Sequence, residues 1–559
     1  MEAPLFDFLS LHKYLSMKIA LAQLNYHIGN FSSNEDKMIS SIKKAHKEKA
    51  DLVVFAELAV SGYPPRDFLE FDDFIDKCWI AAEKIAKECV GIAAIVGLPT
   101  RNKAEKGKPL FNSAALLQNG KIEEIRNKSL LPNYDIFDEY RYFEPNNIFS
   151  CLEFQGQKIA LSICEDLWNI GDDPLYTINP MDELMSEKPD LMINIAASPF
   201  HYDQREIRKD ILKRNVEKYQ IPLFYVNHVG AQTELLFDGG SLVMNKGAEL
   251  VSELSYFEED FKIFDTEDLV VESTSQSSPD KIELIHDALV MGIRNYFEKL
   301  GFKKAILGLS GGIDSAVTLA LAVKALGAAN VDSILLPSQY SSDHSVKDAE
   351  DLAKNLGSPY KIIPIKDIYT AFERELQPHF KELPFGIAEE NIQARSRGVL
   401  LMAMSNKFGH ILLNTSNKSE AAVGYGTLYG DMNGGLSVLG DVYKVDVFAL
   451  AQFINKDEEI IPWNTITKPP SAELRPDQKD ADSLPDYDIL DEILYQYIEK
   501  RKGPKELIAM GFEEQLVRRI LRLVNLNEYK RYQTPPILRV SSKAFGMGRR
   551  MPIVARYLS

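Results

Sequence analysis

At 559 residues the chain is too long for one hydrophobic core, which stops growing near roughly 250–300 residues, so two or more domains are expected. Apolar residues at 45% and charged residues at 26% exclude the disordered and fibrous classes. A net charge of −17 argues against broad nucleic-acid or anionic-membrane binding, which is built from Lys and Arg, while leaving room for a small anion in a local basic pocket.

Residues 1–16 carry no signal-peptide pattern, because Asp7 interrupts the apolar stretch and no small-residue cleavage site follows; they are set aside as an extension. The segment KIALAQ opens an α/β rhythm that continues through a helix near Asn34–Lys49 and the strand DLVVFAE. GIAAIVGLP, KIALSIC, DLMINIAAS and IPLFYVNHV read as buried strands, and Asn119-Gly120 inside SAALLQNGKIEEI signals a hairpin, hence a mixed sheet. This organisation spans residues 17–262 and is followed by a polar linker over 263–281. From Ile282 to residue 559, strands KAILGL, VDSILL, YKIIPI and HILLN alternate with helices. Such repeated βαβ units predict a doubly wound parallel sheet with ligands at its strands' carboxyl ends. The loops after Leu309 and Leu413 are therefore the places to look, and beyond Pro485 the chain becomes helical. Four cysteines form no disulfide framework or zinc spacing, which fits a reducing cytoplasm.

Cys164 ends an apolar strand and is followed by Glu165 and Asp166. A lone cysteine is most often a small buried hydrophobe. As a nucleophile it needs a base and a positive group, and Glu57 and Lys128 close other strands. Glu57 is placed to take the thiol proton and Lys128 to stabilise an oxyanion. In the second half, Ser310-Gly311-Gly312-Ile313-Asp314-Ser315 joins a strand to a helix; its glycines turn backbone N–H groups toward an anion at the helix start. A tight turn with an N-cap is the plain alternative. The chain has no G-x-x-x-x-G-K-[ST] loop, so this lysine-free cradle suits pyrophosphate release rather than a Walker site. Asp314 and Glu420 are candidate Mg²⁺ ligands, Thr415 a nucleotide contact, and Lys444 a neutraliser of phosphate charge.

The ordered segments AELAVSGYPPRD, KSLLPNYDIFDEYRYFEP and LSICEDLW resemble the nitrilase superfamily. The resemblance implies a four-layer αββα sandwich with a Glu57–Lys128–Cys164 triad and Glu139 as second glutamate. Its glutaminase branch further implies glutamine contacts at Tyr134, with Phe137 nearby, and at Ser198. That branch carries a Lys or Arg six residues after the serine, where this chain has Gln204 and then Arg205. SGGIDSA, PSQYSSDHS, EENIQARSRG, LLNTSNKSEAAVGYGTLYGDMNGG and SSKAFGMGRRMP, in that order, look like the glutamine-dependent NAD synthetases. That resemblance implies amidation of deamido-NAD with ATP and Mg²⁺, using ammonia from L-glutamine passed internally, as the last step of NAD biosynthesis. By it, Gly308, Leu309, Ser310, Gly311, Gly312, Ile313, Asp314, Ser315, Thr415 and Lys444 take ATP, and Asn391, Glu420, Asp431 and Lys543 take deamido-NAD. A homo-oligomer, at least a dimer, is implied too. Two other readings stay open: an ATP-pyrophosphatase amidotransferase with a different acceptor, and a nucleotide-sensing module fused to an amidase.

Overall fold

The computed structural model describes residues 16–271, 279–381, 383–475, 478, 480 and 484–557. Residues 1–15, and 272–278 of the expected linker, lie outside them. The chain forms two compact units. The first comprises residues up to Ser198, Glu206–Val229 and Phe237–Ser275; the second comprises Pro199–Arg205, Gly230–Leu236 and everything from Gln276.

The first unit holds strands β1 (Lys18–Gln23), β2 (Leu52–Val54), β3 (Ala93–Arg101), β4 (Leu110–Gln118), β5 (Lys121–Asn127), β6 (Leu152–Phe154), β7 (Gln157–Ile163), β8 (Leu191–Ile195) and β9 (Leu223–Val226). A ribbon, β10 (Val229–Gln232) and β11 (Leu235–Asp238), precedes β12 (Leu242–Met244), β13 (Leu250–Glu253) and β14 (Asp260–Asp265). One six-stranded sheet has the order β14-β1-β2-β3-β4-β5, the other β13-β12-β9-β8-β7-β6. They meet face to face through β1 with β9 and through β4 and β5 with β7. Helices Phe31–Lys47 and Asp72–Lys87 cover the first sheet, and Pro180–Leu184 packs on β7 of the second. This is the αββα sandwich. Asn119 and Gly120, both at positive φ, make the tight hairpin between β4 and β5 that the Asn-Gly pair predicts.

Two expectations need correction. The linker was expected from residue 263, but Asp260–Asp265 pairs antiparallel with β1 from Gln23 to Lys18, so its first three residues are sheet. The run DLVVFAE was expected to be strand throughout; β2 stops at Val54, and Phe55, Ala56 and Glu57 are buried in irregular backbone, with Leu58 at φ 46°. An apolar run reports burial and cannot by itself tell strand from buried turn.

In the second unit, β15 (Ala305–Gly308), β16 (Val331–Leu335), β17 (Tyr360–Ile362), β18 (Ile411–Asn414) and β19 (Leu436–Ser437) form a parallel sheet of order β17-β16-β15-β18-β19. Successive side chains alternate faces, so Ile306 joins Ile334, Leu412 and Leu401 of helix Ile387–Phe408 in one cluster, while Ala305 and Leu307 point the other way. Fully burying such an aliphatic side chain stabilises by roughly 1.5–3 kcal/mol. Strand order reverses at β15, which places the loops after β15 and β18 beside each other at the switch point. Helices Tyr487–Ile498, Pro504–Ala509 and Glu514–Leu526 build a separate apolar cluster that includes Ala422, Val423 and Tyr443.

Candidate functional site

In the first unit, Lys128 follows β5, Cys164 follows β7, and Glu57 lies three residues past β2. Lys128 Nζ donates to Glu57 Oε1 at 2.7 Å and to Glu139 Oε2 at 2.8 Å, and all three side chains are buried. Asn112 Nδ2 donates to Glu57 Oε1 at 2.7 Å, the Ala197 N–H to Glu57 Oε2 at 2.9 Å, and Tyr63 OH to Glu139 Oε1 at 2.9 Å. Such saturation is what lets charges sit away from water. Gly97 makes the irregular delivery of Glu57 possible: a Cβ on it would lie 2.3 Å from Leu58 N and 2.5 Å from Ala56 O.

Cys164 opens the short turn Cys164–Leu167 with φ at 46°, a left-handed conformation uncommon for a side-chain-bearing residue, and is 6% exposed. Asp166 fastens that turn to the lysine segment, accepting from Ile163 N at 3.1 Å, Ser129 N at 3.0 Å and Leu130 N at 2.8 Å. Burial raises the Asp166 carboxyl to about 6. Burial, and next the negative Glu57, push the Cys164 thiol well above its ordinary range, with Lys128 opposing. The thiol is therefore neutral at rest and loses its proton only with a base to receive it. Burial raises Glu139 to about 7, against the pull of Lys128.

Tyr134 OH and Tyr176 OH both donate to Glu165 Oε1, at 2.8 and 3.1 Å, and Phe137 packs edge-on to Tyr134 with ring centres 5.5 Å apart. Ser198 N donates to Asn227 Oδ1 at 2.8 Å. Gln204 opens the helix Gln204–Tyr219 and is grouped with the second unit.

In the second unit, Gly308 ends β15, where a Cβ would lie 3.1 Å from Leu401, and Leu309 N donates to Ile334 O at 2.9 Å. Gly311 has φ 81°, and a Cβ there would fall 2.1 Å from the Ser345 carbonyl oxygen, so only glycine fits. Gly312 N donates to Ser310 Oγ at 3.2 Å and Ser315 Oγ to Gly312 O at 3.0 Å, which folds the loop onto the start of helix Ile313–Leu326. Asp314 there accepts from Asn417 Nδ2 at 2.9 Å and pairs with Lys444 Nζ, which also lies 3.5 Å from Glu420 Oε1. Two carboxylates thus flank one buried ammonium. Burial, then the like charge of Asp314, raise Glu420 to about 8. Among the described residues no group of three or more His, Cys, Asp or Glu is arranged to hold a metal. Nucleotide-bound magnesium needs only one or two protein carboxylates, so Asp314 with Glu420 fits its donor demand.

Thr427 draws two more candidates together: its hydroxyl donates to Asn391 Oδ1 and its N–H to Asp431 Oδ1, at 2.7 and 2.6 Å. A small pocket opens beside Glu420, lined in part by Asn414, Ser416, Tyr425 and Phe545. Thr415 follows β18, half-buried, and Lys543 lies two residues before Phe545. The sequence reading missed Asn112, Tyr63, Asn417 and Lys418. Asn112 was findable as an amide at a core position of β4, and Asn417 as the N-cap three residues before Glu420; its Oδ1 accepts from Glu420 N at 2.9 Å.

Known proteins agree with this division. The carbon-nitrogen hydrolase family model matches residues 18–271, and the NAD synthase family model residues 285–534. The glutamine-dependent NAD(+) synthetase of Synechocystis is 45% identical over 96% of this chain and 99% of its own, and that of Thermotoga maritima 38% identical over 97% and 99%. The solved structure of the Acinetobacter baumannii glutamine-dependent NAD+ synthetase, in complex with ADP, is 41% identical, covers 97% of this chain and 99% of its own, and superposes with a TM-score of 0.77. A Cytophaga hutchinsonii structure, 21% identical with a TM-score of 0.82, covers 97% of this chain and 98% of its own and attests the fold. Matched over nearly all of its length by relatives of this kind, and over residues 18–271 and 285–534 by the two family models, the chain belongs to the glutamine-dependent NAD synthetase family.

Proposed function

We propose that this chain amidates deamido-NAD to NAD, with ATP as activator and L-glutamine as nitrogen donor, as the last step of NAD biosynthesis. The observation that carries the reading is the pairing in one chain of a buried Glu57–Lys128 couple beside Cys164 with an Asp314–Lys444–Glu420 cluster at the switch point of a parallel sheet.

In the first site, Cys164 Sγ attacks the side-chain amide carbon of glutamine as its proton passes to Glu57, and Lys128 faces the developing oxyanion. The proton then leaves with the amine as ammonia, and water releases glutamate from the thioester. Tyr134, Ser198 and Gln204 hold the amino acid, with Phe137 at the pocket wall. In the second site, Gly308 through Ser315, with Thr415, hold ATP. A carboxylate oxygen of deamido-NAD, held by Asn391, Glu420, Asp431 and Lys543, displaces pyrophosphate from the α-phosphorus. Ammonia then displaces AMP. Lys444 offsets phosphate charge. Asp314 and Glu420 would hold Mg²⁺, which neutralises charge on the phosphates when bound.

The reading includes a homo-oligomer, at least a dimer. Its support is an exposed stripe of Val399, Met402 and Ala403 on helix Ile387–Phe408, which also carries Asn391. A cytoplasmic setting is supported by four buried, unpaired cysteines; among the described residues no helix is long and apolar enough to cross a membrane.

The test supplies deamido-NAD, ATP, Mg²⁺ and glutamine and measures NAD, AMP and glutamate together. AMP without NAD would redirect the reading to another acceptor. Cys164→Ala should lose glutamine-dependent synthesis but keep synthesis from added ammonium; loss of both would refute the division of labour.

A further inference from the structure

Lys418 is 0% exposed, and none of the chemistry above uses it. Its Nζ donates to Glu499 Oε1 at 2.9 Å, Ser541 Oγ at 2.7 Å and the Lys543 carbonyl at 3.1 Å, and pairs with Asp441 Oδ1 at 2.9 Å. The ring of Tyr443 closes one side, its centre 4.6 Å from the ammonium. The outer oxygens of both carboxylates grip the same piece of chain: Asp441 Oδ2 accepts from Val540 N at 2.8 Å and Ser541 N at 2.7 Å, and Glu499 Oε2 accepts from Ser542 Oγ at 2.8 Å. Residues 540–543 have no helix or strand of their own. The buried ion cluster therefore takes the place of secondary structure in shaping that backbone.

The position of this cluster matters. Lys418 is the first residue of the six-residue helix Lys418–Val423, whose third residue is Glu420, and Ser419 Oγ receives the N–H of Lys444 at 2.9 Å. At its far end the cluster holds the carbonyl of Lys543. One ammonium thus ties the backbone that carries Lys543 to the helix that carries Glu420.

We infer that Lys418 is a positioning residue for acceptor binding, holding residues 540–543 in register with helix Lys418–Val423. The inference rests on the reading of Glu420 and Lys543 as contacts to deamido-NAD. An unpaired buried carboxylate is costly, so Lys418→Met alone risks misfolding. The informative variants are Lys418→Met with Glu499→Gln, which removes one charge of each sign and leaves Asp441 on the amides of Val540 and Ser541, and Ser541→Ala, which removes only a neutral hydroxyl that accepts from Lys418 and donates to Asp441 Oδ1. In the full-length enzyme the double variant should raise the KM for deamido-NAD about tenfold or more, while the KM for ATP and glutamine hydrolysis stay near wild type. Ser541→Ala should raise the same KM by less. Hydrogen exchange at the Val540 and Ser541 amides should quicken in both. A purely structural role would lower all activities together with thermal stability. Folded variants with an unchanged KM for deamido-NAD overturn the inference, and if the double variant does not fold, an unchanged KM in Ser541→Ala overturns it. If instead the wild-type enzyme forms no NAD from deamido-NAD, the functional reading fails first.

Discussion

Glu139 contributes charge to the first site that Cys164 must work against. Its carboxylate, like that of Glu57, raises the thiol, so Glu139→Gln should move the onset of Cys164 alkylation by iodoacetamide to lower pH. An unmoved alkylation profile would show that Glu139 and the thiol do not sense each other. In the folded state Glu139 holds its proton up to about 7, above the range of an exposed carboxylate. Its contribution to stability is therefore present at acid pH and is lost as pH rises through about 7. Glu420, at about 8, sets a different dependence: Mg²⁺ needs the ionised carboxylate, so affinity should climb as pH rises toward 8. Glu420→Gln should flatten that climb when Mg²⁺ is titrated at pH 6.5 and 8.5 with a nucleotide present. Cys164 is a candidate from sequence because it ends an apolar strand, Asp314 because it follows the Gly-Gly turn after KAILGL, and Lys128 because of the segment KSLLPNYDIF. Lys418 could not be found that way: Glu499 and Ser541, two of its partners, lie 81 and 123 residues away, and nothing local marks a buried lysine.

The loop between β15 and its helix shows how an element is shaped by what it must avoid. Gly311→Ala would place a methyl on the Ser345 carbonyl at a positive φ, costing about 1–3 kcal/mol in backbone strain alone. Because the loop is read as the pyrophosphate cradle, that displacement should cost on the order of a hundredfold in kcat/KM for ATP. Glutamine hydrolysis should be untouched, and equal losses in both reactions would point to a general folding defect instead. The strands themselves were readable, since buried strands bounded by turn residues announce themselves in composition. Their ends were less so. β2 stops early because residues 55–57 are needed as a buried bend, and β14 runs through Ile263, Phe264 and Asp265 into the stretch whose polar STSQSSPD run reads as a linker.

Each unit of the chain has its own sheet system and its own cluster of buried charge, and the order of the two units was plain from composition and motif. What could not be read is that residues 199–205 and 230–236 group with the second unit, since membership in a packed unit depends on contacts far apart in sequence. The proposed oligomer would rest on the exposed face of helix Ile387–Phe408. Val399→Asp with Met402→Asp should shift the protein to monomer in light scattering and abolish NAD formation, with glutamine hydrolysis retained; an unchanged mass would place the interface elsewhere. Gly97 carries a last consequence. It contributes no functional group, yet every missense change of its codon adds the atom that would strike the backbone delivering Glu57. In the genetics of this enzyme, that position should tolerate as little variation as Cys164, the proposed nucleophile.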